Sequence, residues 1–243
     1  MFVGVEGFVG STLQADLLER TEPASLPPGV AILLVHAVNP WGMAWWRRQN
    51  ESNVDLNRNW RRGEVEPIHN DPYDEIHHLA CPSSPDLPDV DLLLVTAAEV
   101  VAERGMTWVR DAITSGQYRH PDGLHYGGAQ TEASCRIVER LAAEHLVGRD
   151  RALVLDLHTG HGPRGEITLL SDAPPGSPQD GFFRHHFPDV TVEPTIGNPD
   201  ATTGAKSGQI ANGLRGLLPA GCCWSTSAEV GTAGDLEQLA ATY

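Results

Sequence analysis

Residues 10–20, GSTLQADLLER, return apolar positions at helical spacing, and Ser11 offers a hydroxyl for the N-cap. Residues 31–38, AILLVHAV, form a short apolar run of the kind expected of a buried strand. Between 39 and 88 no period persists. Trp, Arg, Asn, Pro and His crowd that stretch, and in a compact domain such an irregular segment marks functional loops rather than a linker. Helical spacing resumes over 89–115 and 130–146. RALVLDLHTG, 151–160, reads as a strand with a polar tip, and GEITLLSD, 165–172, as its successor. AKSGQIANGLRGLL, 205–218, predicts a helix, and CCWSTSAEVGT, 222–232, a last strand with a carboxylate near its end. Strands alternating with helices predict an α/β fold: one domain, a mixed and mostly parallel sheet flanked by helices. Ligands of such sheets sit at the carboxyl ends of the strands, where His158 and Glu229 fall.

Composition narrows the function classes. The 243 residues suit one large domain and carry a formal net charge of −15. That charge would repel a phosphate backbone, so no nucleic-acid partner is expected. No apolar run is long enough to span a bilayer, so no membrane partner is expected either. The N-terminus as written has no basic stretch followed by an apolar core, which points to a cytoplasmic location. Cys81, Cys135, Cys222 and Cys223 show no C-x-x-C spacing and read as reduced thiols.

Four places offer chemistry. Asp156 and His158 lie two apart, so on a strand they share one face, and the carboxylate is placed to orient an imidazole that holds a metal. His161 nearby reads as a solvated spare. In AWWRRQNESNVDLNRNW, residues 44–60, Arg47, Arg48, Asn57, Arg58 and Asn59 crowd against Glu51 and Asp55. Either the arginines pair with those acids, or guanidinium and amide together form a clamp for a planar carboxylate. Glu229, at a predicted strand end, suits a proton acceptor. Glu6, in a glycine-bounded turn before a helix, is either a partner of the helix dipole or a metal ligand.

Taken in order, VGVEGFVGS, NPWGMAWWRRQNESNVDLNRNW, GQYRHPDGLHYGG, DLHTGHGP and AEVGT resemble the motifs of the zinc carboxypeptidase superfamily, and most closely its bacterial branch of uncharacterised carboxypeptidase-like proteins, a domain of unknown function. The resemblance spans nearly the whole chain. It implies zinc as cofactor, with Glu6 and His158 as two of three ligands. Glu229 then matches the general base that activates the metal-bound water and returns its proton to the leaving amine. Asn57 and Arg58 match the pair that holds a terminal carboxylate, and Arg47 or Arg48 matches the arginine that stabilises the oxyanion. The implied substrate is a peptide or acyl amino acid with a free carboxylate.

One departure matters most. Position 3, where the family has its first histidine ligand, is Val3, which has no lone pair. A catalytic zinc normally takes three protein ligands and a water. The chain is also expected to be incomplete at the N-terminus and short at the C-terminus relative to the family. Three readings follow: a zinc hydrolase whose metal shell is completed by His36, His77, His78, His125 or a water; a catalytically impaired relative that keeps the anion clamp; and a deacylase of N-acyl amino acids.

Overall fold

The computed structural model describes residues 6–61, 69–82, 90–198, 201 and 205–232, the side chains of 90, 91, 93 and 94 aside. Val3 lies outside the described residues. The helices are α1 (Gly7–Arg20), α2 (Pro40–Ala44), α3 (Asp71–Ala80), α4 (Val90–Arg104), α5 (Met106–Thr114), α6 (Ala133–His145), α7 (Pro178–His186) and α8 (Ile210–Arg215). The strands are β1 (Ala152–Gly160), β2 (Ile167–Ser171), β3 (Thr191–Pro194) and β4 (Cys223–Gly231). The result is a single α/β domain whose sheet runs β1-β4-β2-β3. β1 with β4 and β2 with β3 are parallel, whereas β2 and β4 are antiparallel.

The pleat divides the core into two layers. On β1, Val154, Asp156 and His158 are buried on one face. Val154 joins Leu56, Ile210, Leu214, Val138 and Cys223 in the larger cluster beneath α6 and α8. Leu157 turns to the opposite face, where Leu169, Ala228, Val192 and Phe183 pack beside α7. Burying Phe183 there contributes roughly 2–3 kcal/mol. The first layer therefore carries polar groups at its strand ends, and the second is apolar. α7 has an ordinary start signal: Pro178 occupies the first turn and the Ser177 hydroxyl accepts from Asp180 N.

Local signals and final elements differ in three places. The run at 31–38, expected as a buried strand, has no strand assignment, and Val30, Ile32 and Leu33 are 52%, 47% and 42% exposed. A strand needs a ladder partner, and none among the described residues pairs with this run. The α1 helix begins three residues earlier than expected, so Ser11 sits inside it and its hydroxyl meets His36 Nε2 at 2.9 Å. The helical stretch at 89–115 breaks into α4 and α5 at Gly105, whose φ of 86° no helix accommodates.

Exposed β-branched and leucine side chains on a run with no ladder partner among the described residues invite association between copies. Replacing Val30, Ile32 and Leu33 by Thr, Thr and Gln is expected to raise the temperature at which light scattering begins. Unfolding free energy should stay within about 0.5 kcal/mol, because the residues are exposed. An unchanged scattering onset would clear this run of the association.

Candidate functional site

The site grows from one buried carboxylate. Asp55 has no exposed surface, and its Oδ1 accepts from Asn57 N at 2.9 Å, which sets the short 3₁₀ turn Leu56–Arg58. Its Oδ2 accepts from Arg48 Nε at 2.9 Å and His125 Nδ1 at 2.9 Å, with Arg58 Nη1 3.9 Å away. Burial alone would raise the Asp55 pKa, but Arg48 and Arg58 hold it well below the usual carboxylate range. Burial pushes His125 down to about 4, against the pull of its bond to Asp55. The arginines of the irregular segment thus do pair with an acid, and that acid is Asp55; Glu51 is exposed.

Arg48 continues from Asp55 to Glu6, whose Oε1 it binds through Nη1. The other Glu6 oxygen, Oε2, lies 2.5 Å from His158 Nδ1. His158 Nε2 is 2.9 Å from Asp156 Oδ2, on the same face of β1. These contacts fix the protons. If Nε2–H donates to Asp156, a neutral ring would aim the Nδ1 lone pair at a carboxylate, so a cation must stand between Nδ1 and Glu6. A proton satisfies that need: Asp156 and Glu6 raise the His158 pKa well above its ordinary value although burial opposes them. Burial likewise opposes ionisation of Glu6, yet Arg48 and His158 bring it down to about 2. A divalent metal satisfies the same need, with Glu6 and His158 as its ligands.

In kind these donors fit zinc: one carboxylate oxygen, one imidazole nitrogen, and a carboxylate fixing the ring from behind. In number they fall one short. Among the described residues no third His, Cys, Asp or Glu donor gathers with Glu6 and His158 within 4.8 Å. Of the histidines considered for that role, His36 meets Ser11, His77 lies in a separate cluster, His78 is exposed and His125 belongs to Asp55.

The remaining expected residues distribute as follows. Of the tandem arginines, Arg48 reaches the cluster and Arg47 is exposed. Asn57 is spent inside the protein: its Oδ1 accepts from Ile210 N at the start of α8, and its Nδ2 lies 3.3 Å from Asp156 Oδ2 and 3.2 Å from His158 Nε2. Arg58 is 1% exposed, with Nε and Nη2 on Thr114 O and Nη1 on Asn57 O. Glu229 is the lateral partner of His158 in the β1–β4 register, so the two side chains leave the sheet on the same face, one strand spacing apart. It is half-buried. His161 is half-buried and faces Glu193 at 3.2 Å, not solvated as expected.

Asp55 and His125, expected only as a partner of the arginines and as a spare metal ligand, belong to the centre of the site, and Lys206, which escaped the motif reading, completes it. Lys206 is half-buried, and Arg58, Glu229, Asp172 and Arg48 all act on its charge; burial, seconded by Arg58, lowers its pKa. Among the described residues it makes no hydrogen bond or ion pair. The loop that carries it is tied down by Ser207 N to Ser115 O at 3.1 Å and by Trp60 N to Gly208 O at 2.9 Å. Gly208 has a φ of 66°, and a Cβ there would stand 2.2 Å from Arg58 O, so only glycine lets the loop lie on Arg58. A signal existed: Lys206 is the sole lysine among 17 basic residues.

The neutral His125 has a pH consequence. Between pH 6.5 and about 4 the unfolded chain takes up a proton that the folded protein refuses, so stability falls as pH falls through that window. Wild type is expected to lose about 2–3 kcal/mol more than His125→Asn between pH 7 and pH 4.5, read from urea unfolding at each pH. Equal losses would mean that the ring is not held neutral.

No helix among the described residues is long and apolar enough to cross a membrane. Neither a curated protein nor a solved structure matches the chain. The family model described as "Protein of unknown function (DUF2817)" matches residues 2–242. With that match running nearly from end to end, and with the irregular segment, β1 and β4 meeting at one cluster, the chain belongs to the DUF2817 family.

Proposed function

We propose that this site is that of a zinc-dependent amide hydrolase of carboxypeptidase type, acting on peptides or acyl amino acids with a free carboxylate, and with weakened metal affinity. The observation that carries the reading is the meeting of Glu6 and His158 at 2.5 Å, with Glu229 beside His158 in the strand register. Glu6 and His158 would hold the zinc, which when bound supplies a Lewis acid and makes a water acidic near neutral pH. Asp156 holds the His158 ring in the orientation that turns Nδ1 to Glu6. The Glu229 side chain, with no hydrogen bond or ion pair to the described residues, could take a proton from water and return it to a leaving amine. Arg48 is locked by two carboxylates and brings positive charge to the place where an oxyanion would develop. Because Arg58 is spent on backbone carbonyls, Lys206 is the cation that meets the carboxylate of the substrate.

A second reading has its own observation. Three carboxylates, Glu6, Asp55 and Asp156, already face three cationic groups, Arg48, Arg58 and protonated His158, so the cluster is balanced without a metal. On this reading the protein binds its carboxylate ligand and does not turn it over.

Equilibrium dialysis with zinc, read as the part of the binding that His158→Asn removes, separates the two. A missing ligand costs roughly 3 kcal/mol, so Val3→His is expected to tighten binding about a hundredfold and to increase chelator-sensitive release of C-terminal residues. Dipeptides and N-acyl amino acids, compared side by side, give the preferred amide. If neither protein holds zinc nor cleaves either class, the hydrolase reading fails.

Lys206→Met is expected to raise the half-saturating concentration of a free-carboxylate ligand about tenfold or more, the worth of one charged hydrogen bond, and to leave the amidated analogue unaffected. Equal effects on both ligands would remove Lys206 from carboxylate recognition.

A further inference from the structure

We propose that His77, His120 and Asp122 form a second divalent-metal site, structural in role and best matched to zinc. It lies apart from Glu6 and His158 and does not depend on the hydrolase reading. His77 is in the last turn of α3, and His120 and Asp122 belong to the turn HPDG that follows α5. One donor atom from each lies within 4.8 Å of the others, and His77 Nε2 is 3.7 Å from Asp122 Oδ1. Two imidazoles and a carboxylate are the donor set that borderline ions such as zinc prefer, with a fourth position left to water.

What distinguishes this cluster from a chance surface group is the support behind each ring. His120 Nε2 lies 2.9 Å from Asp74 Oδ1, so that nitrogen carries the proton toward the carboxylate and Nδ1 keeps a lone pair. His77 Nδ1 is 3.5 Å from the hydroxyl of fully buried Tyr73, leaving Nε2 toward Asp122. Burial and the neighbouring His120 lower the His77 pKa, so its lone pair is available at neutral pH.

The turn itself is braced to α3. Tyr73 Oη accepts from Leu124 N at 2.7 Å, Gln117 Nε2 donates to His120 O at 2.8 Å, and Asn53 Nδ2 donates to Pro121 O at 2.8 Å. Gly123 is required, since a Cβ there would stand 2.6 Å from the Tyr73 hydroxyl.

The two rings stack at 3.9 Å with 24° between planes. Zinc bonds of about 2.0–2.2 Å draw donors to roughly 3.3 Å from one another, so closure needs movements on the order of 1 Å. Asp122, whose side chain is 80% exposed, swings freely, and His77 splays from the stack to meet it. The bound ion would pin α3 to the loop that delivers His125 to Asp55.

The test uses the full chain and zinc alone, by equilibrium dialysis and thermal unfolding. Wild type is expected to bind zinc at this site and to melt at a higher temperature with it. Both effects should survive in His158→Asn. Asp122→Asn, an exposed change that leaves the fold intact, should weaken binding about tenfold or more, and His77→Gln should abolish the thermal shift. The proposal is overturned if affinity and thermal shift ignore Asp122→Asn and His77→Gln, if His158→Asn removes all bound zinc, or if wild type binds none.

Discussion

A carboxylate without access to water holds this site together. Asp55 gathers Arg48, Arg58, His125 and a backbone amide, and each of those partners reaches a different part of the protein. Arg48 carries the network to Glu6 at the start of α1, Arg58 to the end of α5, and His125 to the loop before α6. Burying a charge is tolerable only when it is paired and hydrogen-bonded on every side, and here the partners come from segments far apart in sequence. Removing Asp55 would leave Arg48 with Glu6 alone and buried Arg58 with backbone carbonyls as its only acceptors among the described residues. The site is therefore a structural junction as much as a chemical one.

The same logic governs Glu6 and His158. Two lone pairs facing each other at 2.5 Å demand a cation, and the fold offers two candidates of different chemical consequence. With a proton there, the cluster is a closed ion network. With a metal there, Glu6 and His158 would be two of the ligands that the proposed hydrolase needs, with Glu229 one strand away. Asp156 serves both states, because it fixes the same ring nitrogen in each. The position where the family resemblance puts a third ligand is Val3, so the balance between proton and metal shifts toward the proton by about the worth of one ligand bond.

Much of this was legible in the chain. Alternation across 152–160 foretold a strand that buries Asp156 and His158 on one face, since strand side chains alternate whatever lies around them. That β1 and β4 carry His158 and Glu229 near their ends was legible too, whereas their pairing as neighbours was not. Less legible was the fate of 31–38, whose apolar run promised a strand that the surroundings do not complete. The helix at 178–186 had a Ser-Pro start, and the four-residue β3 was too short for any period to show.

Residue types and their order determined the fold class, the family and the set of groups able to do chemistry. Only the tertiary structure decided which of those groups face one another. Nothing local distinguishes Arg47 from Arg48, yet one is exposed and the other joins two carboxylates. Nothing local shows that Arg58 and Asn57 bond within the protein while the half-buried Lys206 side chain makes no hydrogen bond to the described residues. The reason is physical: a side chain's availability depends on which donors and acceptors the rest of the chain brings within about 3 Å, and those arrive from tens of residues away.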